Sequence, residues 1–237
     1  MAYNSHMNIF YLDQDVEQAA ADHCDKHVVK MIIETAQLLS TAQWFDEAQR
    51  RGKLPHQGQI SKLWLDMAEE DFAAHKVKYE DVHAVFVLQR FLEALAKGGR
   101  KFPKKIKRLR VLRVFLGAAA PDSLYARVYS PTHVNHPSGV WARADLTHYT
   151  WLAELGFHLC WEYTKRYQRV HKTKRVIRWL QDNPPQAMPR TQFQALPQCM
   201  PDDCKVPGDC AAAYRTYYKR HKAYMAKWRY SDTPEWW

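Results

Sequence analysis

The chain of 237 residues is 46% hydrophobic and 13% aromatic, which is typical of a globular protein and excludes a mainly disordered one. Its formal net charge of +10 favours a polyanionic partner such as DNA. No apolar run approaches the ~20 residues that a membrane-spanning helix needs, so we expect a protein that does not bind membranes. The chain has five cysteines, and this odd number favours free thiols and hence a cytoplasmic protein.

Runs with helical spacing of apolar residues recur along the chain and few segments alternate as strands do, which predicts an all-α (mainly α) fold. Asp13 or Asp15 is the expected cap of the first helix. Closely spaced prolines from Pro184 to Pro207 predict an irregular segment near the C-terminus. In the first half of the chain the predicted helices are Val16 to about Gln49, two within Ser61–Lys97, and Lys104–Leu116, followed by a loop at Ala118–Ser130. In the second half, one helix is capped by Ser138 and ends near His171, a second spans Thr173–Gln181, and a third is capped by Asp209 and ends near Trp228.

One line along the first helix carries polar side chains between apolar flanks. A surface helix normally has a wide polar face, so we expect this narrow polar stripe to line a cleft. Imidazoles, an amine and a carboxylate are the groups that acid–base and covalent catalysis use, so His23, His27, Lys30 and Glu34 are the candidate catalytic residues. At about 100° per residue the stripe comprises His23, His27, Lys30, Glu34, Gln37 and Thr41, with Lys26 at its edge.

Two other interpretations of the stripe are a structural ion pair, which stays open, and a metal site, which the sequence disfavours. A Lys30–Glu34 ion pair, with histidines lining a structural groove, is the alternative to catalysis. His23 and His27 have the spacing of two metal ligands, but no Glu follows His23 as it does in zinc-protease helices. We therefore predict no metal and no cofactor.

The basic charge is concentrated in one run. Between Glu93 and Asp122 the chain has nine cations and no acid, a pattern that suits a phosphate backbone. The alternative is a solvated basic face. The candidate DNA-binding residues of this run are Lys104, Lys105, Lys107 and Arg108.

A second polar cluster, Thr132-His-Val-Asn-His-Pro137, directly precedes a predicted helix. The free N–H groups of a helix N-terminus favour an anion there. His133, Asn135 and His136 can hydrogen-bond a base edge or a phosphate, and Trp141 can stack on a base. A turn that is merely capped by Asn and His is the alternative.

Seven ordered motifs together resemble a widespread group of phage-encoded proteins. They extend over most of the chain outside residues 46–126, which look like a helical insertion. The motifs are His23–Met31 with Glu34-Thr-Ala-Gln37, Thr132–Pro137, Trp141-x-Arg143, Glu162–Tyr167, His171-Lys172, Gln186–Pro189 and Ala213–Tyr218.

That group is in turn distantly similar to the pyrimidine-dimer DNA glycosylase of phages, a small all-α repair enzyme. The similarity lies in Ser130–Thr132 and in Val140–Gln168. The glycosylase uses its N-terminal α-amine as nucleophile and a glutamate of its first long helix, which Glu34 resembles. Because this chain extends before Met7, Lys30 is the candidate nucleophile. The resemblance also implies that Arg143, Glu162 and Arg166 contact substrate.

We therefore expect a single helical domain, in which residues 1–6 are a cloning remnant, residues 7–45 and 127–237 form the catalytic helical core, and residues 46–126 form a basic helical insertion. The leading hypothesis is a DNA glycosylase/lyase-like enzyme on thymine-derived pyrimidine bases. The second is a transferase that joins a small amine or amino-acid co-substrate to an activated 5-methyl-pyrimidine in DNA. The third is a non-enzymatic DNA-binding module.

Overall fold

The computed structural model describes residues 8–53, 60–75, 81–97 and 104–237. In these ranges the regular structure is helical and no strand is present, so the predicted all-α fold is confirmed. None of the described helices is both long and apolar enough to cross a membrane. The predicted cloning remnant at residues 1–6 lies outside the described residues.

The chain divides into two compact units. The first comprises the described parts of Met1–Asp46 and Tyr129–Trp237, and the second comprises those of Glu47–Val128. The helices are α1 (Val16–Ala21), α2 (Asp25–Arg50), α3 (Ile60–Ala74), α4 (Val82–Lys97), α5 (Lys104–Ala119), α6 (Leu124–Arg127), α7 (Pro137–Ala144), α8 (Leu146–Tyr167), α9 (Lys174–Asp182) and α10 (Cys210–His221).

Two of the predicted long helices are each divided in two. The first predicted helix forms α1 and α2, and the helix predicted from Ser138 to about His171 forms α7 and α8. Asp145 separates α7 from α8, and its carboxylate accepts the N–H of Thr147 over 2.8 Å. The predicted cap Ser138 is wrong, because α7 begins with Pro137 and His136 caps it. Proline suits the first position of a helix because it has no backbone N–H, and an N–H at that position would have no partner within the helix.

Long-range hydrogen bonds explain the break between α1 and α2. The Arg166 guanidinium donates to the carbonyl oxygens of Ala21 and His23, each over 2.7 Å. The Trp228 indole donates to the carbonyl of Asp22 over 3.1 Å. Since side chains satisfy these carbonyls, the helix ends there without a proline or glycine to stop it.

The stripe helix α2 packs against α7 and α8, and glycines make the approach close. A Cβ on Gly156 of α8 would lie 2.8 Å from the Thr35 methyl of α2 and 2.8 Å from Ile177 of α9. A Cβ on Gly139 of α7 would lie 3.4 Å from Leu38 of α2. Any larger residue at position 156 therefore forces the side chains of Thr35 and Ile177 to shift.

The second unit has its own apolar core. Helices α3 and α4 pack on α5, and α6, which falls within the predicted loop, also packs on α5. Arg113 of α5 is largely buried, which lowers its pKa to about 10, and it donates to the carbonyl of Val128. The core residues are Leu65, Ala68, Ala84, Leu112, Phe115 and Leu116.

The segment Pro184–Pro207 is irregular, as predicted, apart from a short 3-10 turn at Asp202–Cys204. Side chains of the helices hold its backbone in place: the Trp141 indole donates to the Gln194 carbonyl over 2.7 Å. Asp209 caps α10, as predicted, by accepting the Ala212 N–H over 2.8 Å. The helix ends at His221, earlier than the predicted end near Trp228.

Candidate active site

The structure divides the polar stripe of α2 into a buried part and a part that reaches solvent. His23 has no exposed surface, and its Nδ1 lies 2.6 Å from the Ala19 carbonyl oxygen. Burial lowers the pKa of His23 to about 4. This imidazole is therefore neutral at physiological pH and belongs to the core, which corrects its predicted catalytic role.

His27 is also a core residue. Its ring stacks on that of Phe10, with centroids 4.4 Å apart and planes at 25°, and its Nδ1 is hydrogen-bonded to the Tyr218 hydroxyl. Burial, reinforced by His23 and nearby lysines, lowers the pKa of His27 well below its ordinary value. Because His27 is 4% exposed and one face of its ring is covered by Phe10, it is not accessible to a substrate, so its predicted catalytic role is also corrected.

Lys30 reaches solvent, whereas Glu34, its neighbour on the stripe, is buried. Lys30 Nζ lies 2.9 Å from Glu34 Oε1, and the side chains are 50% and 7% exposed respectively. The Asn8 backbone N–H donates to Glu34 Oε2 over 3.1 Å. Burial raises the pKa of Glu34, even though Lys30, this N–H and the nearby His133 all favour the ionised form. The pair therefore joins an accessible amine to a carboxylate that readily accepts a proton.

Asn8 is a site residue that the sequence did not reveal. Its side-chain amide donates to the Cys199 carbonyl over 2.7 Å, and the Tyr214 hydroxyl donates to its Oδ1 over 3.0 Å. Asn8 thus ties the N-terminal segment to the irregular segment and to α10 beside Glu34. Helical periodicity carries no signal for such a contact, because Asn8 lies outside every helix.

The turn Thr132–Pro137 is hydrogen-bonded to α2. Thr41 Oγ1 donates to the Thr132 carbonyl over 2.9 Å and lies 3.0 Å from the Thr132 N–H. His133 and Asn135 are exposed, and His133 has φ +52°, the left-handed region that side chains other than glycine disfavour. His136 is the cap of α7: its Nδ1 accepts the Ser138 N–H over 3.2 Å. The turn therefore presents His133 and Asn135 to solvent and uses His136 structurally.

Trp141 is not placed to stack on a base. It is 5% exposed, and its ring lies parallel to that of His148 at 4.6 Å, with planes at 12°. Its indole N–H is bonded to Gln194. Arg143 also faces the protein, with its guanidinium 4.4 Å from the centroid of Phe45, and burial lowers its pKa. Their predicted contacts with DNA are corrected to packing.

Glu162 and Arg166 are a structural pair. The Arg166 side chain is 0% exposed, and its Nε donates to Glu162 Oε2 over 2.9 Å. Its Nη1 lies 3.3 Å from Asp25 Oδ1, and its other bonds are those to the carbonyls between α1 and α2. A buried guanidinium with this set of partners cannot also bind a phosphate, so the predicted role of the pair in substrate binding is corrected.

The basic run lies in the second unit. Lys104, Lys107 and Arg108 are exposed, as phosphate contacts require. Arg108 Nε is also paired with Glu69, 2.7 Å away. The side chain of the fourth candidate, Lys105, lies outside the described residues.

One group of potential metal ligands occurs among the described residues. Ligand atoms of Asp203, Cys204 and His221 lie within 4.8 Å of one another. Arg220 Nη1 is 3.3 Å from the same Asp203 carboxylate, so a cation there would compete with a guanidinium. The trio lies on the 3-10 turn and the last turn of α10, and Glu34 is not part of it.

Comparison of the chain with protein-family models, with curated proteins and with solved structures gives no match.

Proposed function

We propose that this protein is a DNA-acting enzyme on pyrimidine bases, of the glycosylase/lyase type, with Lys30 as nucleophile and Glu34 as its acid–base partner. The observation that carries the proposal is the 2.9 Å contact between the half-exposed amine and the nearly buried carboxylate. A structural ion pair on a helix surface would normally leave both groups in water. Here burial raises the pKa of the carboxylate, as suits a proton acceptor.

The chemistry follows from that contact. Glu34 takes a proton from the Lys30 ammonium, and the neutral amine attacks C1′ of the target nucleotide. The N–C1′ bond forms while the bond from C1′ to the base breaks, and the base leaves with the bonding electron pair and takes up the proton that the newly bonded Lys30 nitrogen releases. Cleavage of the C1′–O4′ bond then gives an imine at Lys30, with the proton of Glu34 going to O4′. Water hydrolyses the imine and regenerates the lysine.

The neighbouring residues support the same assignment. The Asn8 nitrogen is also within hydrogen-bond distance of Glu34, but it belongs to a peptide bond and is not a nucleophile. His133 is exposed and close enough to Glu34 to affect its ionisation. His133 and Asn135 can therefore bind the substrate beside the reacting amine.

The transferase hypothesis needs a pocket for an amine. A cavity of about 760 Å³ is lined by carboxylates that include Asp13, Asp22 and Glu162. It lies beside the break before α2, whereas Glu34 lies nine residues beyond the first residue of α2, about 14 Å along the axis. An amine in that cavity would not reach Glu34, so the geometry favours Lys30 as the reacting amine.

Borohydride reduction tests the proposal, because it fixes the imine as a permanent bond between protein and DNA. Oligonucleotides with an abasic site or a pyrimidine lesion are incubated with the protein and borohydride, and the adduct is read on a denaturing gel. We expect an adduct for the wild type and none for Lys30→Met. Lys165→Met is the matched control, since Lys165 is also an exposed lysine near a glutamate, 3.6 Å from Glu162.

An adduct that persists in Lys30→Met would exclude Lys30 as the nucleophile. No adduct on these oligonucleotides, together with a mass increase of DNA that contains an activated 5-methyl-pyrimidine, would support the transferase. DNA binding without either product would support the third hypothesis, a non-enzymatic DNA-binding module.

A further inference from the structure

A row of aromatic rings lies at the end of α8, with Tyr163, Tyr167 and His171 half-buried and Tyr230 exposed. The centroids of Tyr163 and His171 are 4.9 Å apart, those of Tyr163 and Tyr167 are 5.0 Å apart, and those of Tyr167 and Tyr230 are 5.3 Å apart. We call these four rings the aromatic row. Tyr230 comes from the C-terminal segment, so the row joins two parts of the chain that are distant in sequence.

The row ends at a cavity of about 280 Å³ that is lined by both tyrosines and cations. Tyr224 is 81% exposed and Tyr230 is 55% exposed, although tyrosines usually bury most of their ring. The exposed cations around them are Lys26, Lys227 and Arg229.

The acid in this cavity is already neutralised. Asp25 Oδ2 accepts the Arg229 backbone N–H over 2.8 Å, and its Oδ1 lies 3.3 Å from Arg166 Nη1. The charge that remains toward solvent is therefore positive. Exposed rings beside exposed cations form a surface on which bases stack while phosphates pair with the cations.

We propose that the aromatic row and its cavity bind single-stranded DNA. Unpaired bases stack on the tyrosines, and the phosphates lie at Lys26, Lys227 and Arg229. A duplex hides the faces of its bases and offers such a surface only phosphates, so the exposed rings favour the single strand.

The surface is adjacent to the proposed reactive amine. Lys26 and Lys30 are four residues apart on α2, which places them on the same face, about 6 Å apart along the axis. That spacing corresponds to roughly two nucleotides of a stacked strand. The substrate of the site would thus be a nucleotide in a single-stranded or opened segment, a conclusion that rests on the proposed function, whereas the binding itself does not.

Fluorescence anisotropy with a labelled 12-nucleotide thymidine strand, and with the same strand paired to its complement, tests the inference. The variant is Tyr224→Ala with Tyr230→Ala. The matched control is Trp161→Ala, since Trp161 is an exposed aromatic of α8, 55% accessible, that lies outside the row. We expect the double variant to weaken single-strand binding about ten-fold or more and duplex binding by less than about two-fold, and the control to bind both as the wild type does.

Unchanged single-strand affinity in the folded double variant, or an equal weakening on both DNAs, would overturn the inference. Folding is checked by circular dichroism, and a second variant, Tyr230→Phe, keeps the ring and should keep the affinity. Borohydride trapping separates this test from that of the proposed function. If trapping fails while single-strand affinity depends on the tyrosines, the proposed chemistry fails and the binding surface stands.

Discussion

The backbone N–H of Asn8 donates to Glu34 Oε2 over 3.1 Å, across 26 residues of sequence. This bond places the N-terminal segment over one oxygen of the carboxylate and leaves the other oxygen to Lys30. Glu34 is consequently almost enclosed, and Lys30 is the member of the pair that solvent can reach.

Replacing Arg166 with Gln is expected to destabilise the protein by about 3–5 kcal/mol, because it leaves a buried carboxylate without its cation and the carbonyls between α1 and α2 without their donor. Thermal and chemical denaturation measure the change in the free energy of unfolding. The control is Arg169→Gln, since Arg169 is an exposed arginine three residues after Arg166. This control should unfold with the free energy of the wild type. A stable Arg166→Gln protein that no longer binds DNA would restore Arg166 to the substrate site.

Replacing His133 with Gly is expected to stabilise the fold by about 1 kcal/mol, because the residue has φ +52°, where a side chain costs energy that glycine avoids. The same change removes the imidazole beside Glu34, so affinity for DNA should fall while the melting temperature rises. His133→Asn, which tolerates this backbone region, should keep the fold equally well. A lower melting temperature with unchanged affinity would show that the imidazole is structural.

The basic run should contribute a salt-dependent part of DNA affinity. Changing Lys104, Lys105, Lys107 and Arg108 together to Gln is expected to reduce the slope of log K against log salt, by about 0.9 for each phosphate that these cations neutralise. Arg113 is left unchanged, since it holds the Val128 carbonyl. Titrations at several salt concentrations measure the slope, and an unchanged slope and affinity would show that this face does not meet DNA.

Local patterns predicted much of the helical fold. Apolar spacing placed α3, α4, α5 and α9, and the capping residue Asp209 was confirmed. The break between α1 and α2 could not be predicted, because it depends on Arg166, which lies 143 residues after His23. Neither proline nor glycine marks that position, and only the tertiary fold brings the guanidinium to those carbonyls.

Only part of the candidate site could be predicted, because the rest also depends on tertiary contacts. Periodicity placed His23, His27, Lys30 and Glu34 on one line, but it cannot tell which length of that line another segment covers. Phe10 and Tyr218 contact His27, and beyond them Lys30 is exposed while Glu34 and Thr41 are buried. The contact between Asn8 and Glu34 could not be predicted, because it depends on how the N-terminal segment crosses α2, and no local pattern contains that information.

The stability of Glu34→Gln relative to the wild type should rise with pH. Burial raises the pKa of Glu34 above its ordinary value of 4.5, so the native state holds that proton more tightly than the unfolded state. The stabilisation is fully present below the unfolded pKa and is lost as pH rises through the folded pKa. Glutamine does not titrate, so the difference should grow as the pH rises past the ordinary pKa of 4.5 and become constant once the pH exceeds the raised pKa of the folded state.

Chemical denaturation of both proteins at stepped pH measures this difference. Glu17→Gln, at an exposed position of α1, is the control and should show no such rise. A difference that falls with pH would mean that the folded protein favours the ionised carboxylate, as an ordinary ion pair does.

The most direct test of the central claim is the single-turnover rate of Glu34→Gln on the oligonucleotide that traps the wild type. Glutamine keeps the shape and removes the proton acceptor, so the variant should fold with an unchanged circular dichroism spectrum while its rate falls about 10²–10⁴-fold. Glu17→Gln should keep the full rate. A folded Glu34→Gln protein that reacts at the wild-type rate would contradict the account and reduce Lys30 and Glu34 to a structural ion pair.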